Sequence, residues 1–187
     1  MHAVGNTSYE RRFNVPPRSF LVDPSRYDLN NVIADIDEIR KYNAQRFEME
    51  QLSAIVFQDL EENVCVGYKD LTEDDFWTRG HMPGLPLMPG VLMCEAAAQL
   101  TSYYTQKNEL LPAEVIGFAG LDQVKFRGIV RPGDRFVIQA KLIRAKRRIV
   151  TAKFLCLVNE NLACEGILKG TSLPRALLEG EPASPSE

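Results

Sequence analysis

Between His81 and Gln99 the chain reads HMPGLPLMPGVLMCEAAAQ. His81 opens a ten-residue run holding three prolines and two glycines. That run passes directly into an apolar, alanine-rich stretch whose one carboxylate is Glu95. Imidazole titrates close to neutral pH, so a histidine can take up or deliver a proton under physiological conditions. A carboxyl group set among Met93, Cys94, Ala96, Ala97 and Ala98 is out of place on a solvent-facing surface, and burying it without use is costly. A rigid loop carrying a base, followed at once by a helix carrying an acid, suits proton-transfer chemistry. Gln99 follows Glu95 by four residues, lies on the same helical face and can orient the carboxyl by a hydrogen bond.

The elements that must hold these groups follow from hydrophobic spacing. The helix is expected from Gly90 or Val91 to about Lys107, with Leu92, Met93, Leu100, Tyr103 and Tyr104 spread around its circumference as in a buried helix. Its three alanines keep it slim enough for a sheet to wrap closely. A shorter helix is expected over residues 32–42, with acids early and bases late to complement its dipole. Residues 52–60 and 64–69 read as a hairpin turning at Glu61, Glu62 and Asn63. After the long helix come strand-like runs at 115–126, 136–143, 149–158 and 162–173. Arg131-Pro132-Gly133-Asp134 makes a tight turn, and Asn159-Glu160-Asn161 turns the last hairpin. Phe136, Ile138, Ala140 and Leu142 alternate onto one face. One central helix and about six antiparallel strands predict an α+β domain over residues 35–174, its sheet curled around the helix. Residues 1–34 read as an N-terminal arm and 175–187 as a disordered tail. A curled sheet leaves open edges, so pairing with a second copy is expected.

Composition bounds the function. The chain has 187 residues, 45% hydrophobic and 25% charged, with a net charge of −3, as in an ordinary globular domain. The mild acidity and the lack of an aromatic stacking pattern argue against nucleic acid. No apolar run has the length of a membrane span or a signal peptide, so a cytoplasmic location is expected. Four cysteines form no CxxC pair and read as buried reduced thiols. No zinc site is expected, because His81 is the only histidine beyond His2.

His81-x-Pro83-Gly84-x-Pro86-x-Met88-Pro89-Gly90-Val91-Leu92-x-x-Glu95-Ala96-x-Ala98-Gln99 resembles the signature of the β-hydroxyacyl-acyl-carrier-protein dehydratases, hotdog-fold enzymes of bacterial fatty-acid synthesis. Phe118 to Arg127 and Val130-Arg131-Pro132-Gly133-Asp134 resemble two further family segments, in the right order, and the likeness spans roughly residues 35–172. There are departures. The family's usual phenylalanine after the histidine is Met82. Its Leu-Pro-His-Arg turn stands here as Asn43-Ala44-Gln45-Arg46, without the histidine.

The resemblance implies a hotdog fold and a dehydration of (3R)-3-hydroxyacyl thioesters to trans-2-enoyl products. His81 would be the base at C2, and Glu95 the acid that protonates the departing C3 hydroxyl. The backbone N–H of Gly90, at the positive end of the helix, would bind the thioester carbonyl. One such donor is worth about 3–4 kcal/mol of barrier. Gln99 would support Glu95, and Met82, Pro89 and Phe118 would line the acyl tunnel. No metal or cofactor is implied; the substrate rides on the phosphopantetheine of acyl carrier protein. The family likeness also implies a homodimer, or a trimer of such dimers, in which His81 of one protomer faces Glu95 of the other. A glutamate rather than an aspartate resembles the branch that only dehydrates. Ten Lys or Arg residues and one acid lie between Lys125 and Lys153. They are either solvated strand faces or, at Lys125, Arg127, Arg131 and Arg135, a docking patch for the acidic carrier. Two rival functions remain open: a hotdog acyl thioesterase, and a non-catalytic acyl-binding assembly subunit.

Overall fold

The computed structural model describes residues 19–111 and 115–174. Residues 1–18 of the expected arm and the expected disordered tail, 175–187, lie outside the described residues. In chain order the elements are α1 (Ile36–Ile39), β1 (Ala54–Asp59), β2 (Val64–Asp70), α2 (Gly90–Lys107), β3 (Val115–Phe126), β4 (Arg135–Lys146), β5 (Ile149–Val158) and β6 (Asn161–Leu173). Six antiparallel strands form one sheet in the order β1-β2-β4-β5-β6-β3, so β1 and β3 are its edges. This is the single-helix, six-strand hotdog architecture that the pattern predicts.

The sheet can enclose the helix because of what alternates along each strand. Ile55, Cys65, Phe136, Ile138, Ala140, Ala152, Phe154 and Cys156 turn inward and pack with Leu92, Met93, Ala96, Ala97, Leu100, Tyr103 and Tyr104 of α2. Gly67 of β2 allows the closest approach: a methyl there would stand 3.1 Å from a terminal carbon of Leu100 and 2.8 Å from the carbonyl oxygen of Ala54. Burial runs nearly all the way around α2, taking in Gln99, Thr101, Ser102 and Thr105. Val91, Glu95 and Ala98 form the one open stripe, with Val91 75% exposed.

The outer face of the sheet is also covered. Val56, Val64, Val66, Tyr68, Val137, Leu155 and Leu157 form a second cluster with Val22, against which Phe20, Leu21, Tyr27 and Leu29 pack. Gln139, fully buried in β4, fastens this strap. Its Oε1 accepts the N–H groups of Leu21 (3.0 Å) and Val22 (3.1 Å), and its Nε2 donates to the Val22 carbonyl (2.7 Å) and the Tyr27 hydroxyl (3.1 Å). Gln139→Leu leaves these groups buried without partners, at about 1–3 kcal/mol each where no water reaches them. The expected result is a fall in melting temperature of about 5–10 °C, with faster proteolysis inside residues 19–31. An unchanged melting curve would show that the strap does not depend on Gln139.

The short helix departs from the expected 32–42. Ile33 and Ala34 instead donate their N–H groups to the Ile55 carbonyl, and Ala34 bridges to β1. Asp35 then caps α1, its carboxylate accepting the Glu38 N–H at 2.9 Å, so helix exists only from Ile36 to Ile39. The apolar spacing continues through residue 33, but sheet pairing takes those backbone groups.

Candidate active site

The His81 loop is clasped at both ends. Trp77, buried beneath it, accepts the Gly80 and His81 N–H groups on its carbonyl at 3.1 and 2.7 Å. The His81 carbonyl accepts the Leu87 N–H at 2.9 Å, and the His81 ring nitrogen Nδ1 lies 2.9 Å from the Leu87 carbonyl oxygen. Met82 and Leu85 bond each other's backbone inside this clasp, with Gly84 at φ +79° making the turn. The Met88 N–H bonds the Val130 carbonyl at 2.8 Å and ties the loop to the segment before β4. A carbonyl only accepts, so Nδ1 must carry the hydrogen. The neutral ring therefore presents an unprotonated Nε2, which is the basic nitrogen. The ring is exposed.

Helix α2 starts without a side-chain cap. Leu92 and Met93 both donate to the Pro89 carbonyl, at 2.9 and 3.3 Å. The N–H groups of Gly90 and Val91 precede this ladder and face outward from the helix tip as donors. Gly90 lies against Phe126 of β3: a methyl at Gly90 would come within 2.7 Å of that ring. Glycine here is thus needed for packing.

Glu95, half-buried on the open stripe of α2, is held from two sides. Its Oε1 accepts from Gln99 Nε2 at 2.8 Å and from Gln45 Nε2 at 3.3 Å. Gln99 is 2% exposed and both hydrogens of its NH₂ are used: its Nε2 also donates to the Met49 carbonyl (2.6 Å), while its Oε1 accepts the Gln51 N–H (2.9 Å). Beside Glu95 opens a pocket of about 160 Å³, lined by Gln45, Ala98, Thr101, Phe118, Val150 and Leu168 among others. His81, Met82, Pro89 and Gly90 do not line it within one protomer. Gln45 stands where the family's turn carries its histidine, and sequence alone does not connect that position to Glu95, 50 residues further along the chain.

The other expected residues sort as follows. Phe118 reaches the pocket, whereas Met82 is exposed on the His81 loop and Pro89 caps α2. Arg135 is gripped by Asp70 through two bonds of 2.6 and 3.0 Å and lies 4.2 Å above the Tyr68 ring. Arg127 leans on Glu165 at 3.3 Å. Lys125 and Arg131 are exposed and have no acidic partner among the described residues. All four cysteines are buried and free. Contact with Cys164, together with burial, pushes the Cys94 thiol up, so it stays protonated and is a poor nucleophile. Among the described residues no group of His, Cys, Asp and Glu gathers as a metal site, and no helix is long and apolar enough to cross a membrane.

A helix sheathed in a curled sheet, with a carboxyl on its open stripe and a clasped imidazole in the loop before it, defines a hotdog-fold protein. The FabA-like domain model matches residues 43–167. The 3-hydroxyacyl-[acyl-carrier-protein] dehydratase FabZ of Francisella philomiragia is 32% identical over 155 residues, covering 77% of this chain and 95% of that protein. The FabZ of Caldicellulosiruptor bescii is 35% identical over 135 residues, covering 72% and 95%. Among solved structures, the dehydratase heterocomplex ApeI:P from Xenorhabdus doucetiae superposes with a TM-score of 0.62 at 13% identity, covering 76% of this chain and 95% of that one. A hypothetical thioesterase protein with coenzyme A from Streptococcus pneumoniae gives 0.51 at 8% identity, covering 74% and 96%. At those identities the two structures speak for the fold alone. The chain belongs to the FabA-like family of β-hydroxyacyl-acyl-carrier-protein dehydratases.

Proposed function

We propose that the protein dehydrates (3R)-3-hydroxyacyl thioesters of acyl carrier protein to trans-2-enoyl thioesters in fatty-acid synthesis, acting as a homodimer in the cytoplasm. The observation that carries the reading is Glu95: a carboxyl held by the buried Gln99 amide and the half-buried Gln45 amide at the mouth of a pocket, in a chain whose family relatives are named for this reaction. His81 Nε2 removes a proton from C2, and the C2–H electrons form the C2=C3 double bond. The C3–O bond breaks as the Glu95 carboxyl gives its proton to the departing hydroxyl, which leaves as water. The Gly90 N–H steadies the charge that grows on the thioester carbonyl during the proton transfer. Histidine ends with one proton more and glutamate with one fewer, and exchange with water resets both. Protons alone move, so the reaction calls for no metal or redox group.

A homodimer is supported by what one protomer leaves open. β3 is a twelve-residue edge strand carrying exposed Phe118, Leu121 and Phe126. It adjoins α2, whose Val91–Glu95–Ala98 stripe is uncovered. Pairing two such edges buries unpaired backbone and apolar side chains together. It also supports a shared site, because the Glu95 pocket receives no histidine from its own chain, and the lysine at its rim, Lys169, is paired with Asp122. For the carrier, Lys125 and Arg131 are the cations of the expected patch best able to meet an acidic partner.

The test is hydration of a crotonyl thioester, the reverse reaction, followed by loss of enoyl-thioester absorbance. Wild-type protein is expected to consume the enoyl band without releasing thiol. Release of free thiol from saturated acyl thioesters, with the enoyl band untouched, would select the thioesterase alternative.

A further inference from the structure

Two glutamine amides donate to Glu95, and both donate to the same oxygen, Oε1. Gln99 cannot be turned around, because its Oε1 is fixed by the Gln51 N–H, a group that only donates. Its NH₂ is spent on Glu95 and Met49. Gln45 takes its orientation from Glu95 itself: toward the carboxylate, which only accepts, the amide turns its nitrogen. The backbone behind Gln45 is stapled by Arg46. That guanidinium donates to the carbonyls of Gln45 (2.6 Å), Asn43 (2.7 Å) and Arg40 (3.0 Å). Asn43 in turn donates to the Gln99 carbonyl at 3.0 Å. The loop bearing Gln45 is therefore built onto α2 one turn beyond the carboxyl.

A carboxylate oxygen offers two in-plane lone pairs. With Gln99 and Gln45 on Oε1, both are taken. Among the described residues nothing donates to Oε2. We propose that Gln45 is a positioning residue for Glu95: by filling the second lone pair of Oε1, it confines the transferable proton to Oε2. A proton on Oε1 would have to displace the Gln45 N–H or turn that amide around, whereas one on Oε2 disturbs neither amide. The assignment rests on Glu95 being the acid. It adds which oxygen delivers the proton and which side chain decides it. Gln45 also lines the pocket, so the selection is made where the C3 hydroxyl would arrive.

The test compares kcat and KM for crotonyl-thioester hydration in Gln45→Met and Gln45→His, each in the wild-type and Glu95→Gln backgrounds, at enzyme concentrations that resolve residual turnover. Methionine keeps the length of the side chain and loses the donor; histidine restores an N–H. In the wild-type background Gln45→Met is expected to lower kcat about tenfold, as for one lost hydrogen bond to a charged group. KM should stay within about twofold, and Gln45→His should recover most of kcat. In the Glu95→Gln background Gln45→Met should cost nothing further, because the proton it directs is gone. An undiminished kcat in Gln45→Met, an equal loss in both backgrounds, or a change confined to KM would overturn the assignment. So would equal losses for Met and His. An inert wild type would remove the proposed function and this assignment with it, whereas an active wild type indifferent to Gln45 removes only the latter.

Discussion

His81→Ala is expected to slow hydration of a crotonyl thioester by about 10³-fold or more while leaving the melting temperature and circular dichroism unchanged. A positioned general base contributes roughly 10²–10⁴-fold, and no second histidine exists in the described chain to replace it. The fold should survive because the ring is exposed and its one bond is to the Leu87 carbonyl. The loop remains closed through the backbone bonds of residues 77, 81 and 87. Turnover close to wild type would take His81 out of the mechanism.

Glu95→Gln is expected to reduce activity by a similar factor, since an amide can accept from Gln99 and Gln45 as the carboxyl does but cannot protonate a leaving hydroxyl. The informative step is mixing. After subunit exchange with the His81→Ala protein, half of the dimers are hybrid and each hybrid holds one site with both groups intact. Activity should then recover to about a quarter of wild type. Verified exchange without any recovery would mean that base and acid belong to the same chain.

Much of this architecture was legible because local and global signals agreed. The boundaries of α2 and the runs of β3 and β5 follow from period and turn residues. The i to i+4 placement of Glu95 and Gln99 makes their bond a matter of helical geometry. Two things were hidden. The covering of the outer sheet face had a signal, the unbroken apolar runs at 54–57 and 154–158, which alternation on one face does not explain. What covers that face could not be read, since Gln139 reaches 117 residues back to Val22. Gln45 had no periodic signal at all. Only the fold brings the 43–46 turn against α2. The same limit applied to the basic run: charge counting gave equal weight to Arg135 and Lys125, but Asp70 and Tyr68 already hold Arg135.

The clasp between His81 and Leu87 has a consequence for how the protein can change. The imidazole is fixed by contacts among positions 77, 81 and 87, all made through main chain or through the ring itself. The side chains of the five residues between positions 81 and 87 hang outside that closure. Met82, Pro83 and Leu85 can therefore drift, or be redesigned, without unsettling the tautomer that the Leu87 carbonyl sets. Selection can rework the doorway while the hinge pin stays where it is.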